Sequence, residues 1–122
     1  MKPTVLIVDD IKVVRDRINE QLSADFEVVG QAASGREAIE MCRRLKPQLV
    51  LMDLVMPEMS GIDATREILI SVEPTPKVII LSGITEEGYA AQALEAGAAE
   101  YLIKPVDAEK LKAVLKTFAE AA

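Results

Sequence analysis

Four short stretches of this chain are apolar without a break, at residues 5–8, 49–52, 78–81 and 101–103. A strand with one wet face alternates apolar and polar residues. A strand without polar alternates must be covered on both faces, the usual condition of a parallel sheet under helices. A fifth stretch, 26–32, carries Glu27 and Gln31 and fits an edge strand. Between these stretches the apolar spacing turns helical. Val14, Ile18 and Leu22 recur at every fourth position, and Leu111, Val114, Leu115 and Phe118 form a single stripe. Ser34 with Glu37, ahead of Ala38, Ile39 and Cys42, has the form of a capping box. Ser60-Gly61-Ile62-Asp63 opens a further helix containing Ile68 and Leu69. Thr85, Glu86 and Glu87 place acids at a helix start, Gly97 suits its end, and Asp107 can cap the last helix.

The order is strand then helix, five times. Such alternation predicts a single α/β domain, a doubly wound (βα)5 sandwich with a five-stranded parallel sheet and helices on both faces. At 122 residues the chain fits one domain with its own core. Half of its residues are hydrophobic but only 3% are aromatic, so that core must be aliphatic. Met52, Met56, Met59 and Cys42 read as packing residues, and Lys110, Lys112 and Lys116 as a solvated face.

Composition removes several classes of function. The chain has no histidine, which excludes histidine-based triads and metal sites. A lone cysteine excludes an internal disulfide. The formal charge of −6 argues against direct nucleic-acid binding. No apolar run is long enough for a signal peptide or a membrane span, so a soluble, cytoplasmic domain is expected.

The ends of the apolar stretches carry the chemistry. The first runs into Asp9-Asp10, the third strand into Asp53, the fourth into Ser82 and the fifth into Lys104. In an open parallel sheet all strand C-termini lie along one edge, where ligands bind. Three carboxylates, a hydroxyl and an amine therefore converge from distant parts of the chain. Two carboxylates about 4 Å apart repel by about 4 kcal/mol at an effective dielectric of 20. Oxygen-only donors favour Mg²⁺ as the cation that relieves this. A carboxylate beside Mg²⁺ can act as a nucleophile toward phosphorus.

Asp9-Asp10, Asp53 with Pro57, Ser60-Gly61, Ser82-Gly83 and Tyr101 through Lys104-Pro105 resemble the response-regulator receiver domains of two-component signalling, chemotaxis CheY-like proteins among them. The resemblance spans residues 1–122 and implies the flavodoxin-like strand order 2-1-3-4-5. It implies that Asp53 accepts a phosphoryl group. Asp10, Asp53 and the Val55 backbone carbonyl would bind Mg²⁺ (or Mn²⁺), with Asp9 acting through water. Lys104 and Ser82 would hold phosphoryl oxygens, and Tyr101 would be the switch aromatic that swings inward behind Ser82. Gly83 would leave the site open, and a cis bond would precede Pro105. The implied partners are a sensor histidine kinase or phosphotransfer protein and a downstream output domain or target. Residues 85–119, the fourth helix, fifth strand and fifth helix, would form the readout face and a possible homodimer surface.

Such a domain is not an enzyme in the ordinary sense; it promotes only its own phosphoryl transfer and acyl-phosphate hydrolysis. Val55 and Ile84 would border the hydrolytic water, and both are apolar, so slow self-dephosphorylation is expected. The competing reading is a degenerate receiver used as an unphosphorylated interaction module. A haloacid-dehalogenase-type phosphohydrolase would require a second acid two residues after Asp53, where Val55 stands. A flavin-binding protein would require a phosphate loop where Asp9-Asp10 stands. A dinucleotide-binding fold would require a glycine-rich fingerprint that is missing.

Overall fold

The computed structural model describes residues 1–120. Five strands and five helices alternate: β1 (Thr4–Val8), α1 (Lys12–Leu22), β2 (Glu27–Ala32), α2 (Gly35–Leu45), β3 (Leu49–Asp53), α3 (Gly61–Ser71), β4 (Lys77–Ser82), α4 (Glu87–Glu95), β5 (Glu100–Ile103) and α5 (Ala108–Glu120). All neighbouring strands pair in parallel, in the order β2-β1-β3-β4-β5. This is the doubly wound arrangement that the apolar stretches and the resemblance lead one to expect.

The unbroken stretches are apolar because the sheet separates two cores. Leu6 and Val8 of β1, Val50 and Met52 of β3, and Val78 and Ile80 of β4 pack with Ala38, Ile39 and Cys42 of α2, Ile62 and Ile68 of α3, and Ala93 of α4. Their alternates, Val5, Ile7, Leu49, Leu51, Ile79 and Leu81, pack with Ile18 and Leu22 of α1 and Leu111 and Leu115 of α5. A period of two thus sends every second side chain to the opposite interior. Cys42 is fully buried among the aliphatic residues, and burial pushes its thiol up to about 12.

The local signals operate as their chemistry dictates. Ser34 Oγ accepts from Glu37 N–H at 3.2 Å, while the Glu37 carboxylate accepts from Ala33 N–H at 2.6 Å. Ser60 Oγ accepts from Asp63 N–H at 3.1 Å, and Asp107 Oδ1 from Lys110 N–H at 2.8 Å. Gly97, at φ +109°, stands beyond the end of α4 in a conformation that suits glycine.

Glu86 and Glu87 stand at the start of α4 as expected, with Glu86 at the N-cap and no side-chain cap bond. Two expectations are corrected. The 101–103 stretch is not wholly buried: Tyr101 and Leu102 pack into the two interiors, but β5 is an edge strand and its Ile103 is 40% exposed. Three apolar residues are too few to separate a buried strand from an edge strand. Lys112 and Lys116 are not merely solvated, since both reach Asp25, at 3.2 and 3.8 Å, and tie α5 to the turn before β2. Among the described residues, no helix is long and apolar enough to cross a membrane.

Candidate functional site

The parallel sheet delivers the strand-end residues to one edge. β1 ends at Val8, and the next residue, Asp9, keeps one last ladder bond through its N–H to Ala32 O at 3.1 Å. The Asp9 side chain is buried, at 3% exposure, and each of its oxygens is occupied. Oδ1 accepts from Ile11 N–H at 2.9 Å, and Oδ2 from Lys104 Nζ at 3.2 Å. Asp53, the last residue of β3, lies beside it. Its Oδ1 accepts from Leu54 N–H at 3.0 Å and stands 3.6 Å from Lys104 Nζ. Asp10 is exposed, and its carboxylate makes no hydrogen bond or ion pair among the described residues. Asp9, Asp10 and Asp53 each place an oxygen within 4.8 Å of the others.

One ammonium cannot balance three carboxylates. Burial holds the Asp53 carboxyl above its ordinary value; Lys104 opposes this, and the Asp9 and Asp10 charges add to it. A group pushed this way has a charge that its surroundings undercompensate. The donor set consists only of carboxylate oxygens, so the residues present fit a hard divalent cation such as Mg²⁺.

The other expected residues flank this cluster. Ser82 closes β4 and is buried; its Oγ accepts from Ile84 N–H at 3.1 Å. The carbonyl of the same Ile84 accepts from Tyr101 Oη–H at 2.8 Å. The tyrosine is half-buried, packed inward against the α2–α3–α4 core. Lys104 follows β5 and is tied to β4 by its N–H to Ser82 O at 2.8 Å. The Lys104–Pro105 peptide bond is cis, as the resemblance implies. Gly83 has open space where a side chain would project. Val55 is 60% exposed at the rim.

One residue matters more than the sequence reading allowed. Gly61 N–H donates to Leu54 O at 2.7 Å, drawing the start of α3 against the end of β3. A Cβ at Gly61 would stand 2.1 Å from Asp53 O. The signal was a glycine at the first position of a helix, directly after the Ser60 cap. Only the fold shows that the backbone of the central acid passes beside it.

Residues 5–116 match the response regulator receiver domain. The chain is 42% identical over 106 residues to the chemotaxis protein CheY of Thermotoga maritima, covering 86% of this chain and 88% of that one. It is 44% identical over 116 residues to the response regulator protein VraR of Staphylococcus aureus, covering 93% of this chain but 55% of that longer protein. Its fold superposes on the CheX-CheY-BeF3-Mg+2 complex from Borrelia burgdorferi with a TM-score of 0.87 at 28% identity, covering 95% of this chain and 89% of that one. This chain belongs to the response regulator receiver domain family of two-component systems.

Proposed function

We propose that residues 1–122 form one receiver domain in which Asp53 accepts a phosphoryl group and so switches a signalling output. The observation that carries this reading is the convergence of Asp9, Asp10, Asp53, Ser82 and Lys104 on one sheet edge, with three carboxylate oxygens within 4.8 Å. Asp10, Asp53 and the Val55 carbonyl would hold Mg²⁺, and Asp9 would act through a metal-bound water. Bound there, Mg²⁺ (or Mn²⁺) would neutralise charge on phosphoryl oxygens. The Borrelia relative was solved as a complex with BeF3 and Mg²⁺, which supports the choice of ion.

The side chains divide the work. Asp53 Oδ1 is held by Leu54 N–H and faces Lys104, so the other oxygen, Oδ2, is the one free to attack phosphorus. Oδ2 forms the new O–P bond, and the donor leaves with the electron pair of its own bond to phosphorus. Lys104, already between Asp9 and Asp53, pairs with a phosphoryl oxygen. Ser82 uses its lone pair for Ile84 N–H and keeps its own proton to donate to another. The product adds about two negative charges. Because Ile84 bonds both Ser82 and Tyr101, a movement of Ser82 pulls on the contact that holds the tyrosine. The modification biases a two-state element, with Tyr101 inward as the state described above.

A sensor histidine kinase or phosphotransfer protein, or a small acyl phosphate, supplies the group in this reading. Readout runs through α4, β5 and α5, where Leu94 and Ile103 are exposed, toward an output domain, a target protein or a second copy. The domain works in the cytoplasm without itself touching nucleic acid. Intact-mass measurement after incubation with Mg²⁺ and acetyl phosphate tests the reading. A phosphoryl adduct that needs Mg²⁺ and disappears in Asp53→Ala is expected. No adduct with any donor, with Mg²⁺ binding intact, would leave the unphosphorylated interaction module.

A further inference from the structure

We infer that Arg15, held in place by Gln31, is a positioning residue for Asp9 and Asp10, and that its loss weakens divalent-cation binding at this pair. The inference rests on the Mg²⁺ reading above. β1 stops at Val8, and the Asp9 carbonyl lies beyond the strand. Its partner is a charged donor from the next element: Arg15 Nη1 reaches Asp9 O at 2.7 Å. The same guanidinium donates through Nε to Gln31 Oε1 on β2 at 3.2 Å. A guanidinium is a planar fork whose donors keep fixed directions, so one contact just past β1 and one on β2 define where it sits.

The consequence reaches Asp10 through the backbone. The Asp9 carbonyl and the Asp10 N–H belong to one rigid peptide plane. Fixing that oxygen sets the direction in which Asp10 departs. Asp10 needs this, because its carboxylate has no hydrogen bond or ion pair of its own among the described residues. The start of α1 depends on the same clamp. Its N-cap is Ile11, which has no side-chain oxygen, and its first turn carries no acid. The helix entrance is instead secured by Ile11 N–H on Asp9 Oδ1 and by Arg15 on Asp9 O.

Charge and position pull in opposite directions here, which makes the inference testable. Among the described residues Arg15 forms no ion pair with Asp9, Asp10 or Asp53. Acting by charge alone it would repel Mg²⁺, and removing it would tighten binding. Acting as a clamp, its removal loosens the acid pair and weakens binding, and contacts that orient metal ligands typically matter by about 10–100-fold.

Calorimetric titration of MgCl2 at fixed ionic strength decides, with circular dichroism confirming each variant folded. Arg15→Gln is expected to lose roughly tenfold in affinity. Arg15→Lys keeps the charge without the fork and is expected to recover only part of the loss. Gln31→Leu leaves the charge and frees one arm of the fork, and is expected to weaken binding in the same direction. The inference is overturned if Arg15→Gln binds Mg²⁺ as tightly as wild type or more tightly, or if Arg15→Lys restores affinity fully while Gln31→Leu has no effect. Should Arg15→Gln not fold, the other two variants decide by the same criteria. Wild-type protein that takes up no Mg²⁺ overturns the metal reading itself.

Discussion

The two ends of the sheet solve the same problem in opposite ways. At the N-terminal end of the strands, Thr4 N–H donates to Gln48 Oε1 at 3.0 Å, and Gln48 N–H donates to Thr4 Oγ1 at 2.9 Å. Two neutral residues thus satisfy each other across β1 and β3, and Gln48 O also accepts from Lys77 N–H of β4. At the C-terminal end, two of three clustered carboxylates share one lysine, and Asp53 is held away from its ordinary ionisation. The first end is closed with neutral hydrogen bonds. The second carries charge that folding alone does not balance, the condition that the proposed binding of a cation and a phosphoryl group would relieve.

Four variants break or sharpen that contrast. The largest effect is expected from Lys104→Met, which removes the single cation between Asp9 and Asp53. Phosphorylation from acetyl phosphate should slow by roughly 10²-fold, as for loss of one preorganised charge-stabilising donor. Mg²⁺ should nevertheless bind more tightly, because a competing positive charge is gone. Slow phosphorylation accompanied by weaker Mg²⁺ binding would mean that Lys104 supports the acid cluster structurally. Next is Val55→Asn at the exposed rim, which supplies a hydrogen bond to the hydrolytic water. The acyl phosphate should decay several-fold faster, followed by intact mass after donor removal, and an unchanged decay rate would reject Val55 as a neighbour of that water.

The third variant belongs to the quiet end. Gln48→Ala removes the acceptor of Thr4 N–H and keeps the backbone bond to Thr4 Oγ1; it should cost about 1 kcal/mol of stability in urea unfolding, the ordinary worth of one hydrogen bond, and leave phosphorylation untouched. The smallest effect is electrostatic. The Asp53 carboxyl is raised by burial first, with Lys104 opposing and Asp9 adding to it. The folded state therefore holds this proton more tightly than the unfolded chain does. Stability from this group is complete below the ordinary carboxylate value near pH ~4 and is lost as pH rises through the raised folded value. In Mg²⁺-free buffer, Asp53→Asn should melt above wild type at about pH 7, with the gap closing toward pH ~4. A gap that stays constant with pH would assign the difference to packing rather than charge.

Much of this was legible before any coordinates. Unbroken apolar runs and helical spacing are local, and they located all ten elements to within a few residues. The acids at the strand ends were legible because a parallel sheet has only one edge to which they can go. What escaped depends on contacts between distant residues. Lys112 and Lys116 look like any exposed helical lysines until Asp25 lies beneath them. Gly61 looks like an ordinary helix start until the Asp53 carbonyl passes beside it. Arg15 lies on a helical turn whose spacing gives no sign that its guanidinium spans Asp9 and β2. β5 was misjudged because a three-residue run contains too little pattern to reveal an exposed Ile103.

The three central strands also insulate. Each forms a wall between two separately packed interiors, and tightly packed interiors transmit a change in volume only to what they touch. Tyr101 and Ile84 lean on the interior shared by α2, α3 and α4, whereas α1 and α5 rest on the other. In the proposed switch a rearrangement at Tyr101 presses first on the interior of α2, α3 and α4, and it reaches α5 through β5, whose Leu102 packs in the other interior with Leu111 and Leu115. Distance along the chain is a poor guide to mechanical kinship here. Val5 and Leu115 share an interior from opposite ends of the sequence, while a single step along β4, from Ile79 to Ile80, crosses the wall.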